Sequence, residues 1–310
     1  MFLLIAILRA LVALIQWLPL QVGARLGRCG GALAWWLDRR HRRVALANLA
    51  RALPELSAAE RFAIARENFR RIGENYVCAL KTACMSPAAL AKHVEWVNIV
   101  ESLPTDGRSI IGAVGHFGNF ELFASASAVA PGWRWATTYR ALPDPRLNGL
   151  LQSVRNRSGI RFFERRTEAR RLREFLREGR AMLGLLSDQH AGDRGLWLPF
   201  LGHDCSCSAA PALFAARYRA PLCVGICFRT ALARWRVEVV AMISTDEPDG
   251  TRRSAEAITS DINRHFEAAI RRDPANWFWV HRRWKPISRW QAQVAAGEAP
   301  STESGEEEGA

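Results

Sequence analysis

From Pro87 onward the sequence alternates short apolar runs with amphipathic stretches, and that alternation leaves the chain very few folds to choose from. The apolar runs are "RSIIGAVG", "WRWATTY", "RAMLGLLSD", "PLCVGICF" and "ARWRVEVVAMI"; among them lie "FELFASASAV", "RLNGLLQSVRNRSG", "EARRLREFLREG" and "SAAPALFAARYRA", and "SAEAITSDINRHFEAAIRRDP" follows as a long helix. Short runs of this kind suit strands buried on both faces, and an amphipathic helix between two of them carries the chain back across the sheet. The expected class is therefore α/β, with a largely parallel or mixed sheet flanked by helices.

Ahead of this core, Arg42 to Ala83 reads as a helical section with a turn at Pro54-Glu55. Ser57 followed by Glu60 is a capping box, in which hydroxyl and carboxylate each satisfy an amide left open at the helix start. The first twenty residues, "MFLLIAILRALVALIQWLPL", are nearly all apolar, with Arg9 and Gln16 on one helix face. Their length is enough to span a bilayer, but Arg9 near the middle would cost roughly 2.5–3.5 kcal/mol, so a tilted or surface-lying helix is an equal reading. No charge precedes the apolar stretch and no small-x-small site follows it, so it is expected to persist as an anchor. Arg25, Arg28 and "DRRHRR" come next, a cationic group that belongs on the cytoplasmic side against anionic head groups. The expected organisation is an anchor helix over residues 1–20 and one domain over 21–290. That domain divides into a helical section, 21–86, and an α/β core, 87–290. The acidic tail 291–310, without large apolar side chains in "GEAPSTESGEEEGA", is expected to be disordered.

The formal charge is +13, almost all of it from arginine, which points to nucleic acid, anionic lipid or an acidic protein as partner. Seven unevenly spaced cysteines do not form a disulfide framework and fit a reducing compartment. His203, Cys205 and Cys207, with Cys223 and Cys227 beyond, come nearest to a metal signature but lack paired knuckles, and Cys223 and Cys227 sit in an apparent strand where cysteine packs as a small hydrophobe. No metal and no cofactor is expected, and no Gly-rich phosphate loop is present.

The strand ending at Gly115 delivers His116 to the crevice beyond the carboxyl ends of a parallel sheet, where ligands gather. Gly115 and Gly118 let the backbone turn sharply and approach a substrate. With Glu121 on the same side of the turn, the pair reads as a dyad in which the carboxylate orients an imidazole that takes a proton from a hydroxyl. The plainer alternative for a lone histidine is a helix cap or a hydrogen-bonded polar residue.

"GHFGNFE" resembles the His-x4-Asp/Glu box of glycerolipid acyltransferases, and more closely that of the late acyltransferases of lipid A biosynthesis. The resemblance continues in order through "RRVALANLARALPELSAAE", "TYRALPDPRLNGLLQSVRNRSG", "LLSDQHAGDRGLWLPFLGHDCSCSAAPALFA" and "DPANWFWVHRRWK", covering about Arg25 to Lys285. It implies a glycerolipid acyltransferase-like fold and a membrane-associated O-acyltransferase. The donor would be acyl carrier protein or acyl-CoA, and the acceptor a phosphorylated membrane glycolipid. Location at the inner membrane, with the domain facing the cytoplasm, follows from the same likeness. It assigns His116 as base and Glu121 as its partner, Gly118 and Asn119 to the substrate, Arg157 and Asp188 to a second functional pair, and Arg140 and Arg155 to phosphate or head-group contacts. Asp188 follows "AMLGLL" as His116 follows its own strand, although an aspartate there also suits a turn cap. The close, with Trp277, Trp279, Trp284, His281, Arg282, Arg283 and Lys285, fits either a membrane interface or a packed core with a solvated basic edge.

Gln189-His190 and the cysteines of "HDCSCS" depart from the family's usual residues and leave the acceptor open between a lipid A precursor and another glycolipid, such as a phosphatidylinositol mannoside. Two other classes compete. A membrane-tethered nucleic-acid-binding protein would want a contiguous basic stripe, which the scattered arginines do not provide, so no nucleic-acid partner is expected. A hydrolase using the same dyad has no Gly-x-Ser-x-Gly elbow to support it.

Overall fold

The computed structural model describes residues 2–155 and 158–285; Arg157 and the tail 291–310 lie outside the described residues. Helix α1 (Phe2–Trp17) stops before Pro19, whose ring fixes φ at −56° and which serves as the N-cap of α2 (Leu20–Leu37). Among the described residues no helix is long and apolar enough to cross a membrane. Helix α3 (Arg39–Ala52) is capped by Asp38, whose side chain accepts from the His41 amide at 3.0 Å. Helix α4 (Ala58–Thr82) opens with the expected capping box: Glu60 N donates to Ser57 Oγ at 3.2 Å and Ser57 N to Glu60 Oε2 at 2.7 Å.

The helices α2 and α4 touch backbone to backbone. A Cβ on Gly31 would stand 2.1 Å from the Phe69 carbonyl oxygen, and one on Gly73 would stand 2.1 Å from that of Gly27. Next to Gly73, the buried carboxylate of Glu74 accepts from Arg28 Nη1 at 3.2 Å, from Arg229 Nε at 3.0 and 3.1 Å, and from the Ala233 amide at 3.0 Å. This carboxylate ties the helical section to the sheet, because Arg229 and Ala233 belong to a strand and its turn.

After α5 (Pro87–Leu90) come β1 (Val94–Val97), β2 (Ile110–Val114) and a 3-10 helix, Phe120–Ala128. Next are β3 (Arg134–Tyr139), α6 (Pro145–Arg155), β4 (Arg161–Glu164), α7 (Ala169–Arg177) and β5 (Ala181–Leu186). A hairpin, β6 (Leu196–Phe200) and β7 (His203–Cys207), leads to α8 (Ala210–Tyr218). Strands β8 (Leu222–Ala231) and β9 (Arg234–Ile243), helix α9 (Ala255–Arg272) and a 3-10 turn, Pro274–Asn276, complete the described chain. The main sheet has seven strands in the order β1-β9-β8-β2-β5-β3-β4. Every pairing in it is parallel except β8 with β9, so this is the expected mixed, parallel-rich sheet flanked by helices.

Period-two alternation divides the central strands between two cores. Ile111, Ala113, Leu183, Leu185, Val224 and Ile226 face one, and Ile110, Met182, Cys223 and Cys227 face the other. The two cysteines are thus packing residues, and burial pushes the Cys223 thiol up to about 12. "FELFASASAV" forms a 3-10 helix where a helix was expected, while β1, β4 and the β6–β7 hairpin were not anticipated. The first two are edge strands of four residues, too short for a periodic signal.

The tryptophan-rich close is core and not interface. Trp277, Trp279 and Trp284 are buried, and so is Arg283, whose guanidinium was expected on a solvated edge. Two asparagines hold the segment from outside: Asn48 Nδ2 donates to the carbonyls of Trp279 (2.8 Å) and His281 (2.7 Å), and Asn68 Nδ2 donates to that of Ala275 (2.9 Å).

Candidate active site

Strands β2 and β5 are parallel neighbours in which Val114 pairs with Leu186, and the Ser187 amide donates to the Val114 carbonyl at 3.0 Å. Two residues beyond each member of that pair stand His116 and Asp188, so the register alone brings them to one level at the carboxyl edge of the sheet. His116 Nδ1 lies 2.7 Å from Asp188 Oδ1, and the His116 amide donates to Oδ2 at 2.8 Å. Trp277 Nε1 also donates to Oδ2, at 2.7 Å, from the closing segment behind. The aspartate is fully buried and the imidazole is partly exposed. Burial by itself would raise the Asp188 carboxyl; the charge of His116, the hydrogen bonds from its ring and amide, and the indole together outweigh it and hold the group below the usual carboxylate range. With Nδ1 engaged, Nε2 is the nitrogen left for chemistry.

The turn that carries His116 needs its glycines. A Cβ on Gly115 would sit 2.5 Å from the Phe117 ring, and Gly118 has φ +50°, with the Cys227 carbonyl 2.7 Å from where its Cβ would be. Phe117 is driven into the core, bridged to Trp277, and His116 is left above it with Phe120 and Phe278 as ring neighbours.

His116 lines a cavity of about 460 Å³ with largely apolar walls. One wall is the face of α4 bearing Ile72, Tyr76, Ala79 and Leu80; another comprises Phe120, Ala124, Leu151 and Phe162. A smaller apolar pocket of about 80 Å³, reaching Trp135, Ile160 and Met182, shares Phe120, Glu121, Ala124, Arg155 and Phe162 with the first.

Glu121 differs from its expected place. The carboxylate bound to His116 is that of Asp188; Glu121 instead receives Arg155 Nη2 at 2.8 Å, and that guanidinium also lies over Phe162. The reason is geometric. The 3-10 helix begins directly after Asn119 and turns Glu121 toward α6 and α4, and burial, then the charge of Glu121, raises the Tyr76 phenol. Arg155, Gly118 and Asn119, read above as substrate contacts, line the cavity. Asn119 is buried, with Nδ2 3.5 Å from Thr82 Oγ1. Arg140 is exposed beyond β3 and does not line the cavity.

Trp277 and His281 are the residues that reading the sequence left unassigned. His281 Nε2 accepts the His190 amide at 3.0 Å, which fixes the loop just beyond Asp188 and leaves Gln189 on the cavity wall. Burial above all lowers His281 to about 4. The aromatic close made Trp277 visible, but nothing in one dimension joined it to Asp188.

Among the described residues no group of three or more His, Cys, Asp or Glu is placed to hold a metal ion. His203 Nε2 is 3.0 Å from the Arg51 carbonyl, while Cys205 and Cys207 are buried with their sulfurs 3.9 Å apart. Cys207 Sγ receives Arg283 Nη2 at 3.0 Å and Asn263 Nδ2 at 3.3 Å.

Comparison with known proteins adds a second line. The family model for bacterial lipid A biosynthesis acyltransferases matches residues 1–286. The lipid A biosynthesis myristoyltransferase of Escherichia coli (strain K12) is 28% identical over 158 residues, which are 50% of this chain and 47% of that protein. Lipid A biosynthesis acyltransferase 1 of Shigella flexneri matches with the same identity and coverage. The aligned stretch spans about half the length of these relatives.

Proposed function

The chain belongs to the bacterial lipid A biosynthesis acyltransferase family, and on that premise we propose that it moves a fatty acyl chain from an acyl thioester to a hydroxyl of a phosphorylated glycolipid. The observation that carries this reading is an imidazole bonded at 2.7 Å to a buried carboxylate on the wall of an apolar cavity of about 460 Å³. A polar base at the edge of a greasy chamber suits a reaction between an alcohol and a fatty thioester, both of which must be kept from water.

In this reading His116 Nε2 takes the proton of the acceptor hydroxyl as its oxygen attacks the thioester carbonyl. Asp188 fixes the tautomer with Nδ1–H toward the carboxylate and stabilises the imidazolium that forms. The tetrahedral intermediate then collapses, the C–S bond breaks, and the departing thiolate recovers the proton from His116. The oxyanion needs donors. The amides of His116, Phe117 and Gly118 are already directed to Asp188, Gly115 and Asn276. Those of Phe120 and Glu121, at the amino end of the 3-10 helix where amides point away from the helix body, are the candidates. Glu121 holds Arg155 across the cavity wall, where the guanidinium can meet a phosphate or the donor's carbonyl.

The relatives' names direct the acceptor to a lipid A precursor and leave both acyl carrier protein and CoA as donors. Residues 21–290 would form the acyltransferase unit, working at the cytoplasmic face of the inner membrane, with residues 1–20 in its attachment. The test is a product assay with purified protein, labelled acyl carrier protein or acyl-CoA, and a phosphorylated glucosamine lipid, read by mass spectrometry. Acylated glycolipid that disappears in His116→Ala is the expected result. Free fatty acid alone would mean hydrolysis, and product from His116→Ala at the parent rate would remove the base from the scheme.

A further inference from the structure

Trp277 reaches both halves of the His116–Asp188 pair. Its indole Nε1 donates to Asp188 Oδ2 at 2.7 Å, while its backbone forms a bridge to Phe117, the residue directly after His116. One position earlier, the Asn276 carbonyl accepts the Gly118 amide at 3.0 Å, and Asn276 Nδ2 donates to the Cys227 carbonyl of β8 at 2.9 Å. From the opposite side Asn68 Nδ2 of α4 donates to the carbonyls of Ala275 and Trp277. The turn that bears the histidine and the side chain of the aspartate are thus tied to one short segment.

The indole has little freedom to look elsewhere. Trp277 is 1% exposed and meets Trp279 edge-on with ring centroids 4.8 Å apart, with Phe200 at 5.7 Å and Trp284 at 6.4 Å. Trp279 and Trp284 give their own N–H groups to backbone carbonyls, those of Pro274 and Phe200. Trp277 alone of the three gives its N–H to a charge. Packing does not require that choice, because a buried indole is satisfied by a carbonyl, as its two neighbours show.

We propose that Trp277 is a positioning residue of the acyl-transfer centre, its indole holding Asp188 in line with His116 and moderating how strongly the carboxylate keeps a proton on the imidazole. The proposal rests on the reading above of His116 as the base. Oδ1 faces the imidazole, while Oδ2 takes the His116 amide and the indole, so the carboxylate is fixed from two directions and cannot turn. Each donor also draws on the negative charge. Without the indole, more of that charge falls to the Nδ1 proton, the imidazolium is better stabilised, and Nε2 stays protonated to higher pH. The indole keeps the base open.

Other charged and titratable groups stand around the pair: His281 and Arg283 from the closing segment, His190 from the loop after β5, Glu121 and Arg155 from the 3-10 helix and α6, and Arg71 and Tyr76 from α4. Burial above all lowers both of these histidines, His281 to about 4. Replacing the indole leaves every one of them in place, so a change in pH profile reports the Nε1 hydrogen bond.

The test replaces Trp277 in the full chain in two ways: by phenylalanine, and by benzothienylalanine, which keeps the two-ring shape with sulfur in place of N–H. Transfer from a labelled acyl thioester is followed against pH. In both variants the acid limb of kcat/KM should move up by about one pH unit, with transfer about tenfold down on its acid side and near parental on the alkaline plateau. If Trp277→Phe fails to fold, the isostere decides. In the protein without substrate, the low-field proton resonance of His116 Nδ1, identified by its absence from His116→Ala, should move further down-field. A limb that stays in place while the rate drops equally at every pH, or a resonance that does not move, would mean that Trp277 only packs, and overturns the proposal. Because the resonance is read without turnover, a parent protein that transfers nothing would count against the acyltransfer reading and leave the NMR result to decide this one.

Discussion

Replacing Asp188 by asparagine should separate positioning from shape. The carboxylate accepts three hydrogen bonds: Oδ2 takes the His116 amide at 2.8 Å and Trp277 Nε1 at 2.7 Å, while Oδ1 meets His116 Nδ1 at 2.7 Å. An asparagine has one oxygen, and two donors already converge at the Oδ2 position, so the oxygen goes there and the NH₂ faces Nδ1. A donor facing Nδ1 makes that nitrogen an acceptor and moves the ring proton to Nε2, the nitrogen that must receive the hydroxyl proton. The imidazolium also loses its buried counter-charge. Together these should lower kcat about 10⁴-fold, equivalent to about 5 kcal/mol in the barrier, the scale seen when the carboxylate behind a catalytic histidine becomes an amide. KM should change little, because Asp188 is fully buried and does not line the cavity. The assay is the initial rate of transfer from a labelled acyl thioester, with thermal unfolding as a control on the fold. A kcat within tenfold of the parent at unchanged Tm would refute the assignment, and an equal loss in Tm would show that the carboxylate serves packing.

Glu121→Gln and Arg155→Gln should each impair transfer, and the double variant should be little worse than the poorer single, because each removes the same 2.8 Å pair; additive losses would mean that the two act apart. Cys207, held down to about 6 by its bonds to the neighbouring thiol, Arg283 and Asn263, binds fewer protons folded than unfolded between about pH 6 and 9. Stability should therefore fall as pH drops through that window, and a urea-midpoint slope that survives in Cys207→Ser would disprove the assignment to this thiol. His281, lowered to about 4 chiefly by burial, is a base that the unfolded chain protonates first, so stability should fall by on the order of 3 kcal/mol between about pH 6.5 and 4. His281→Gln should flatten that acid limb in thermal melts.

Local pattern carried much of this fold. The apolar runs at Ile110–Val114, Ala181–Leu186 and Leu222–Ala231 are the sheet's central strands, and Ser57 with Glu60 marked the start of α4 to the residue. Shorter elements escaped because their stability is borrowed. Strand β4 has four residues and exists by pairing with β3, and β7 reads as polar until its inward positions, Cys205 and Cys207, are seen to bury their sulfurs against the closing segment. Such contacts join residues 76 positions apart, beyond the reach of any periodicity.

The site follows the same division, and it explains why the carboxylate bonded to His116 is not the one nearest to it in sequence. Glu121 is five residues away but belongs to the next element, which turns it outward to Arg155. Asp188 is 72 residues away but leaves the adjacent parallel strand at the same height. In a parallel sheet, equal offsets past paired residues place side chains side by side whatever the chain length between them. The aspartate after "AMLGLL" was legible as a strand-end residue, and only the pairing of Val114 with Leu186 could convert it into a partner. The unpaired cation of Arg283 argues the same point from the other direction. Fully buried with no carboxylate within reach among the described residues, it donates instead to Cys207 Sγ at 3.0 Å and to the Ser206 carbonyl at 2.6 Å, acceptors that the hairpin's register turns toward it.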